Sequence, residues 1–439
     1  MGITPRQREL LAHTWVDFMP MQRFAEAPLI VERADGVYYW DVAGKRYLDA
    51  IGGVFVASLG HRHPRLLDAV RTQLERLTLA PPMHGVADVT LELVDRLGTV
   101  TPGDLDFIKT FSGGSEANEA AIKLTRQYWK QSGQPGKYKV ISRYFGYHGS
   151  TFGAMAASGT GPRKSKFEPQ MGGFVKVFPP THYRDRFATW EECNRFAAAS
   201  VEDVIVAEDP ETVAAVMLEP IGNTGGVITP TEEYLALLRE ICDRHSVLLI
   251  FDEVITGFGK TGSMFAAQTF GVTPDVICCG KGMSSGVVPI GAIAARHDIG
   301  TAFWGNERDN VHFAHGNTYA GNPLAAAAAI AVLDVIEDDD LCARARDHGA
   351  YLRARLEALH DTGVVHEVRG RGVWLGVELT DSRVGTALAR RAVGDGLILR
   401  VDPGWFAIAP ALTASRAELQ AICDRIETSL TDAIADANL

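Results

Sequence analysis

Short apolar runs closed by turn residues recur through the middle of the chain. Asp106-Phe-Ile-Lys-Thr-Phe111, Lys139-Val-Ile-Ser142, Ala214-Ala-Val-Met-Leu218, Val247 to Phe251 and Asp275 to Cys279 each read as a strand. The continuous runs, which do not alternate with polar residues, fit strands buried on both faces of a parallel sheet. Helix-spaced apolar positions such as Ala117, Ala121, Leu124 and Tyr128 stand between them. This alternation between about 61 and 320 predicts an α/β fold with helices on both faces of the sheet. Ahead of it, Asp35-Gly36 marks the turn of one hairpin in Leu29 to Asp41. Beyond it, Asn322-Pro323 supplies a cap and a first-turn proline for an Ala-rich helix. The tail then shortens to an α+β pattern, with strands near Val364 to Val368, Gly372 to Leu379 and Leu397 to Val401. Its last helix opens at the capping box Ser415-x-x-Glu418. The expected division is a segment 1–60 packing with a small domain, a large domain 61–320 and the small α+β domain 321–439.

Composition narrows the function classes. The 439 residues, 46% of them apolar, are enough for a large core and two domains. A net charge of −11 offers no basic stripe for a nucleic-acid backbone. The six cysteines are sparse and irregularly spaced, and Cys278 and Cys279 sit inside an apolar run, as core residues of a reducing compartment do. No zinc spacing occurs, and the pairs His61/His63 and His312/His315 have no companion ligands, so no metal is expected. The N-terminus lacks a signal-peptide core, and no apolar run approaches about 18 residues. A cytoplasmic protein without membrane contact is the expectation.

Two of the predicted strand ends carry chemistry. Asp252 closes the run Val247-Leu-Leu-Ile-Phe, and Lys281 comes directly after Val276-Ile-Cys-Cys-Gly. Open α/β sheets place ligands at such ends. A lysine there can form a Schiff base with a carbonyl, and pyridoxal phosphate demands such a lysine plus an acidic partner for its ring nitrogen. Ser112-Gly-Gly114-Ser115-Glu116 runs from a strand into a helix. Its glycines admit an anion, the first-turn N–H groups point at it, and Ser115 adds a hydroxyl donor. An ordinary strand-to-helix turn has the same outline. Tyr147-His148-Gly149 lies beyond another strand, where an aromatic could stack on a flat ring or simply fill the core, and Glu219 ends a fourth strand before Pro220. Thr318, in Gly316-Asn317-Thr318-Tyr319, could donate to an anion, and Arg400 could clamp a substrate carboxylate, although a structural turn and a surface arginine are their commoner fates.

Gly257-Phe-Gly259-Lys-Thr-Gly262 matches a dinucleotide fingerprint and keeps a nicotinamide oxidoreductase as a distant alternative. It stands away from its strand, Pro274 soon interrupts the next segment, and no acidic ribose partner lies about 20 residues on. A Walker loop fails as well, since Val254 occupies its first glycine position.

Taken together, Gly114-Ser-Glu-Ala-Asn118, Tyr147-His-Gly149, Glu219-Pro220, Asp252-Glu-Val-Ile-Thr-Gly-Phe-Gly259, Gly280-Lys-Gly282 and Thr318-Tyr-Ala-Gly-Asn-Pro323 resemble the class III pyridoxal-phosphate aminotransferases of fold type I, and within them the omega-transaminase branch. The resemblance implies a mostly parallel seven-stranded sheet sandwiched by helices plus a smaller α+β domain. It implies that Lys281 holds the cofactor and shuttles the proton and that Asp252 pairs with the pyridinium. Val254 and Tyr147 would flank the ring, with His148 and Glu219 beside it. Gly114 and Ser115 would bind the phosphate, and Thr318 would reach the neighbouring subunit's phosphate in an obligate homodimer, or a tetramer built from it. Phe55 would line a small substrate pocket, and Arg400 aligns with a mobile arginine that meets a substrate carboxylate. Two positions depart from the family pattern. Ser150 stands where users of 4-aminobutyrate or ornithine carry an arginine, which favours pyruvate-like over 2-oxoglutarate-like acceptors, and Gly222 stands where relatives often have glutamine. The implied reaction moves an amino group from a primary amine or omega-amino acid to a small keto acid. Decarboxylating transamination, aminomutase and racemase chemistry share the same residues and stay open.

Overall fold

The structure is a computed structural model, and it describes residues 2–438. In chain order the strands are β1 (Val31–Asp35), β2 (Tyr38–Asp41), β3 (Arg46–Asp49), β4 (Phe107–Phe111), β5 (Lys139–Arg143), β6 (Phe174–Val177), β7 (Val213–Leu218) and β8 (Leu248–Asp252). They continue with β9 (Val276–Cys279), β10 (Gly291–Ala295), β11 (Val365–Arg371), β12 (Trp374–Leu379), β13 (Leu397–Ile398), β14 (Arg400–Asp402) and β15 (Trp405–Ile408). Seven of them form the central sheet, in the order β4-β10-β9-β8-β7-β5-β6. All pairings within it are parallel except those of β10, which runs against both β4 and β9.

The sheet is the fold type I sheet that the resemblance implied, and its centre is fixed by burial. In β8, Leu249, Ile250 and Phe251 are each 0% exposed. Burying such a side chain stabilises by about 1.5–3 kcal/mol. Asp252 therefore rides on a strand whose position hydrophobic burial sets independently of any ligand. The helix Gly114–Gln131 lays Ala117, Ala120, Ala121 and Leu124 against the sheet. Pro323–Asp338 starts where Asn322 Oδ1 accepts from the N–H groups of Leu324 and Ala325 at 3.0 and 3.1 Å. Its alanine face then packs against Pro64–Arg76 and Asp88–Val100.

Two central strands are absent from the sequence expectation. β10, Gly-Ala-Ile-Ala-Ala, has Ile293 as its one β-branched residue and no aromatic, and its alanines favour helix. It is a strand because it pairs on both sides, with β4 and β9, and its first residue is closely approached, a Cβ on Gly291 standing 3.1 Å from the Cys279 carbonyl oxygen. β6 is a four-residue edge strand behind Gly172-Gly173. In the tail, the expected strand Leu397 to Val401 divides at Leu399. β13 pairs in parallel with β3, tying the tail to the N-terminal hairpin, whereas β14 pairs with β15 in the second sheet, β11-β12-β15-β14. Among the described residues, no helix is long and apolar enough to cross a membrane.

Candidate active site

Asp252 is held from behind by three donors. His148 Nδ1 and Asn118 Nδ2 both reach its Oδ2, at 2.8 and 2.7 Å, and the Val254 N–H reaches Oδ1 at 3.1 Å. His148 and Asn118 are 2% and 1% exposed, so neither can trade these bonds for water. Asn118 also donates to the His148 carbonyl at 2.6 Å, which fixes which way its amide points. Three elements thereby lock one carboxylate: the strand end, the loop after β5 and the inner face of the helix Gly114–Gln131.

Lys281 faces this carboxylate across a gap. No ion pair joins the two among the described residues, yet Asp252 and Glu219 both act electrostatically on the amine. Burial dominates and pushes the Lys281 pKa below its ordinary value, while the two carboxylates pull it back. Some of the side chain keeps contact with solvent through the cleft. The backbone at Lys281 has a left-handed φ of 42°. Such a conformation persists where its surroundings over-determine it. Here Gly282 supplies the wall, since a Cβ on it would stand 2.7 Å from Ser58 Oγ.

Glu219, 5% exposed, completes the floor. Burial raises its pKa, the Asp252 charge adds to that, and His148 and Arg143 oppose it. Its Oε2 accepts from the Tyr147 N–H and its Oε1 from the Asn223 N–H, each at 3.3 Å. Arg143, at the end of β5, donates to the Glu219 carbonyl. It also passes beside Gly222, where a Cβ would meet its Nη2 at 3.5 Å.

The start of the helix Gly114–Gln131 has no side-chain cap. Its first intrahelical bond is donated by Ala117, so the N–H groups of Gly114, Ser115 and Glu116 remain for an anion. Val254 packs so closely on Gly114 that a Cβ there would stand 2.8 Å from Cγ1, which makes glycine obligatory. Ser115 Oγ accepts from the Ser150 N–H at 3.1 Å, binding the loop that carries Tyr147 to the helix start. The Tyr147 hydroxyl lies 3.0 Å from Ser150 Oγ.

These residues match a known arrangement, and residues 21–430 fit the sequence profile of the family described as Aminotransferase class-III. The chain belongs to the class-III aminotransferases. It is 38% identical to a probable aminotransferase of Mycobacterium tuberculosis, over 98% of this chain and 96% of the relative. It is 34% identical to an omega-aminotransferase of Caulobacter vibrioides, over 95% and 96%. An (S)-enantioselective omega-transaminase from Thermomicrobium roseum superposes with a TM-score of 0.91 at 35% identity, covering 97% of each chain. The omega-transaminase of Pseudomonas jessenii in complex with PMP gives 0.93 at 32% identity, covering 98% of each.

Class-III aminotransferases depend on pyridoxal phosphate, and the donor set here fits that group. An amine whose pKa burial lowers and an anchored carboxylate face each other without touching, and an uncapped helix start supplies N–H groups for a phosphate. The dinucleotide-like loop does not compete. Leu412 Cδ1 lies 2.9 Å from the Cβ position of Gly259, Arg346 Cγ lies 2.6 Å from that of Gly262, and Phe258 is 0% exposed, so this loop packs against the tail instead of cradling a ligand. Among the described residues, no group of three potential metal ligands comes together.

The remaining candidates lie farther out. Phe55 is 1% exposed and packs on Trp374 with centroids 5.7 Å apart, which puts its ring in the core, while the neighbouring Val54 is exposed. Thr318 is exposed, and its loop is tied back on either side, by Asn317, which donates to Glu116, and by the Gly321 N–H, which donates to Thr110 Oγ1 at 2.8 Å. Arg400 stacks 5.6 Å over Trp405 and gives Nη2 to Asp402 at 2.6 Å. Asn118 and Arg143 received no role from sequence. The i to i+4 spacing of Gly114 and Asn118 was the available signal for the first, since it puts both on the inner helix face.

A cavity of about 280 Å³ opens beside the site between Phe18, Tyr147, Ser150, Phe152, Arg163 and Phe167. A wider depression of about 580 Å³ lies between Arg383, Arg390 and Asp436 near the C-terminus, and none of the strand-end residues lines it.

Proposed function

We propose that this aminotransferase moves the amino group of a primary amine or omega-amino acid to a small keto acid, with pyruvate favoured, in two half-reactions. The observation that carries it is Lys281 facing an Asp252 that is already fully anchored. Such a carboxylate keeps its charge for the cofactor. Pyridoxal phosphate bound there supplies a ring that takes up the electron pair released when the donor carbon loses its proton. Asp252 would keep the pyridine nitrogen protonated through opposite-charge pairing. Lys281 Nζ, biased to the neutral state by burial, would take the proton from the donor carbon and return it. The N–H groups at Gly114 to Glu116 and Ser115 Oγ would bind the phosphate, and Val254 with Tyr147 would flank the ring. Thr318 would act on the phosphate of a second copy, which its exposure permits, in a homodimer.

Two observations support the acceptor. Ser150 leaves no cation at its position, and the chain is 32% identical to a Pseudomonas putida protein named omega-amino acid–pyruvate aminotransferase, over 88% of this chain. The test mixes holoenzyme with a primary amine and follows the cofactor's colour. The expected result is stoichiometric conversion to the aminated form with an equivalent of carbonyl product, reversed by pyruvate. Carbon dioxide release, or inversion without transfer, would refute the reading.

A further inference from the structure

The cavity beside Tyr147 contains a cation that the reaction scheme leaves unused. Arg163, half-buried in the short helix Gly161–Lys164, places its guanidinium carbon 4.3 Å from the Phe18 ring centroid and 5.0 Å from that of Tyr147. Stacking covers the flat faces of a guanidinium, whereas the N–H donors lie in its plane and match a carboxylate bidentately. Neither Arg163 nor Lys164, which lines the same cavity, meets a carboxylate among the described residues. Arg400 is near enough to repel Arg163 electrostatically, yet it is already engaged by Asp402. The cavity itself is lined by two cations, Arg163 and Lys164, and by no carboxylate among the described residues. Burial and then the Arg400 charge lower the Arg163 pKa, and Tyr147 and Asp402 only partly oppose them. An incoming anion would relieve that cost. Phe152, Met155 and Phe167 give the lining an apolar side, and Ser150, Ser158 and Thr160 add hydroxyls to it.

We propose that Arg163 is the residue that receives the substrate carboxylate, with Arg400 held aside by Asp402, and that the favoured substrates are aliphatic omega-amino carboxylates whose apolar spacer lies along Phe18 and Tyr147. The proposal rests on the transaminase reading and specifies its substrate class. It replaces the clamp that Ser150 lacks with one from a different element, approaching across the Tyr147 ring.

The test needs a binding readout and a kinetic one. Hexanoate, which carries the carboxylate but no amine, is titrated into holoenzyme and followed by the cofactor's absorption. Arg163→Met should raise its dissociation constant by about 10–100-fold, the range for losing a charge-assisted hydrogen-bonded pair. Arg163→Lys, which keeps the charge and loses the fork, should fall between, and it carries the test if the methionine variant does not fold. Arg400→Met should weaken binding less than Arg163→Met. In the first half-reaction, the preference of wild-type enzyme for ε-aminocaproate over hexylamine should collapse in Arg163→Met by a similar factor. A dissociation constant within about twofold of wild type, a larger effect of Arg400→Met, or equal losses on both donors would overturn the proposal. If wild-type enzyme fails to convert even hexylamine, the transaminase reading itself falls, a result separable from any of these.

Discussion

The floor of the cleft and its outer wall are built on different principles. On the floor, Asp252, His148, Asn118 and Glu219 are each at most 5% exposed; His148 and Asn118 bind Asp252, and Glu219 accepts from the backbone N–H groups of Tyr147 and Asn223. On the wall, Ser150, Arg163, Thr318 and Arg400 keep contact with solvent and lean on one or two neighbours each. A buried polar network tolerates no missing member, because each loss strands a partner away from water. A wall of half-exposed cations and hydroxyls can exchange one residue for another at small cost. On the proposed reading the floor would specify the cofactor and the wall the substrate, which predicts steep losses on one side and graded shifts on the other.

The sharpest break comes at Lys281. Lys281→Ala should lower the rate of the first half-reaction by at least about ten-thousand-fold, the upper range for general acid–base catalysis together with loss of the covalent anchor. Single-turnover spectra with an amine donor measure it, and a variant that aminates a keto acid at the wild-type rate would sink the assignment. Asp252→Asn comes next. It retains the shape and removes the charge, so the His148 and Asn118 donors then face an uncharged amide, and a loss of roughly 100–1000-fold in kcat is expected, comparable to removing one preorganised electrostatic contact. A loss below about tenfold would mean that the ring nitrogen does not depend on this carboxylate.

The third test separates floor from scaffold. Glu253 is the next residue after Asp252 yet points away from the cleft, where it accepts from the N–H groups of Ala266 and Ala267 at 2.6 and 2.7 Å and from the Thr256 hydroxyl at 2.8 Å. Burial raises its pKa to about 7 against those three donors. A carboxyl whose folded pKa lies above its unfolded one contributes stability that is full below the unfolded value and lost as pH rises through the folded value. Between pH 4.5 and about 7, wild-type stability should therefore fall relative to Glu253→Gln, by a few kcal/mol in total. Paired urea titrations across that window check it. A difference that stays flat with pH would show that Glu253 is ionised in the fold throughout.

The same contrast explains what the sequence made legible. β7, β8 and β9, and with them Asp252 and Lys281, were readable because burial at every position leaves a compositional mark. β10 was not, because its glycine and alanines carry little strand propensity and its conformation is set by pairing with β4 and β9. Asn118 and Arg143 escaped for a related reason, since their partners lie on other elements and only folding brings them together. Phe55 is buried against Trp374, a contact between residues far apart in the chain that no local pattern announces. Arg163 sits in a four-residue helix too short to leave a periodic pattern, and its environment is set by Phe18 and Tyr147, which lie far from it in sequence.

The gentlest perturbation probes the wall itself. Ser150 is exposed, and its hydroxyl contacts only the Tyr147 hydroxyl, while its backbone N–H, which any residue but proline retains, makes the bond to Ser115. Ser150→Arg should therefore fold as the wild type does and add a cation beside the one at Arg163. With two cations on this side, a dicarboxylate gains a second contact and a monocarboxylate gains none, so the ratio of kcat/KM for 2-oxoglutarate over pyruvate should rise by about tenfold, the worth of one partly exposed charge-assisted contact. Like-charge repulsion between the introduced guanidinium and Arg163 sets the limit on the gain, and combining the change with Arg163→Met should reduce it. If Ser150→Arg instead costs as much activity as Asp252→Asn, the wall is coupled to the floor through Ser115, and the division between cofactor and substrate residues does not hold.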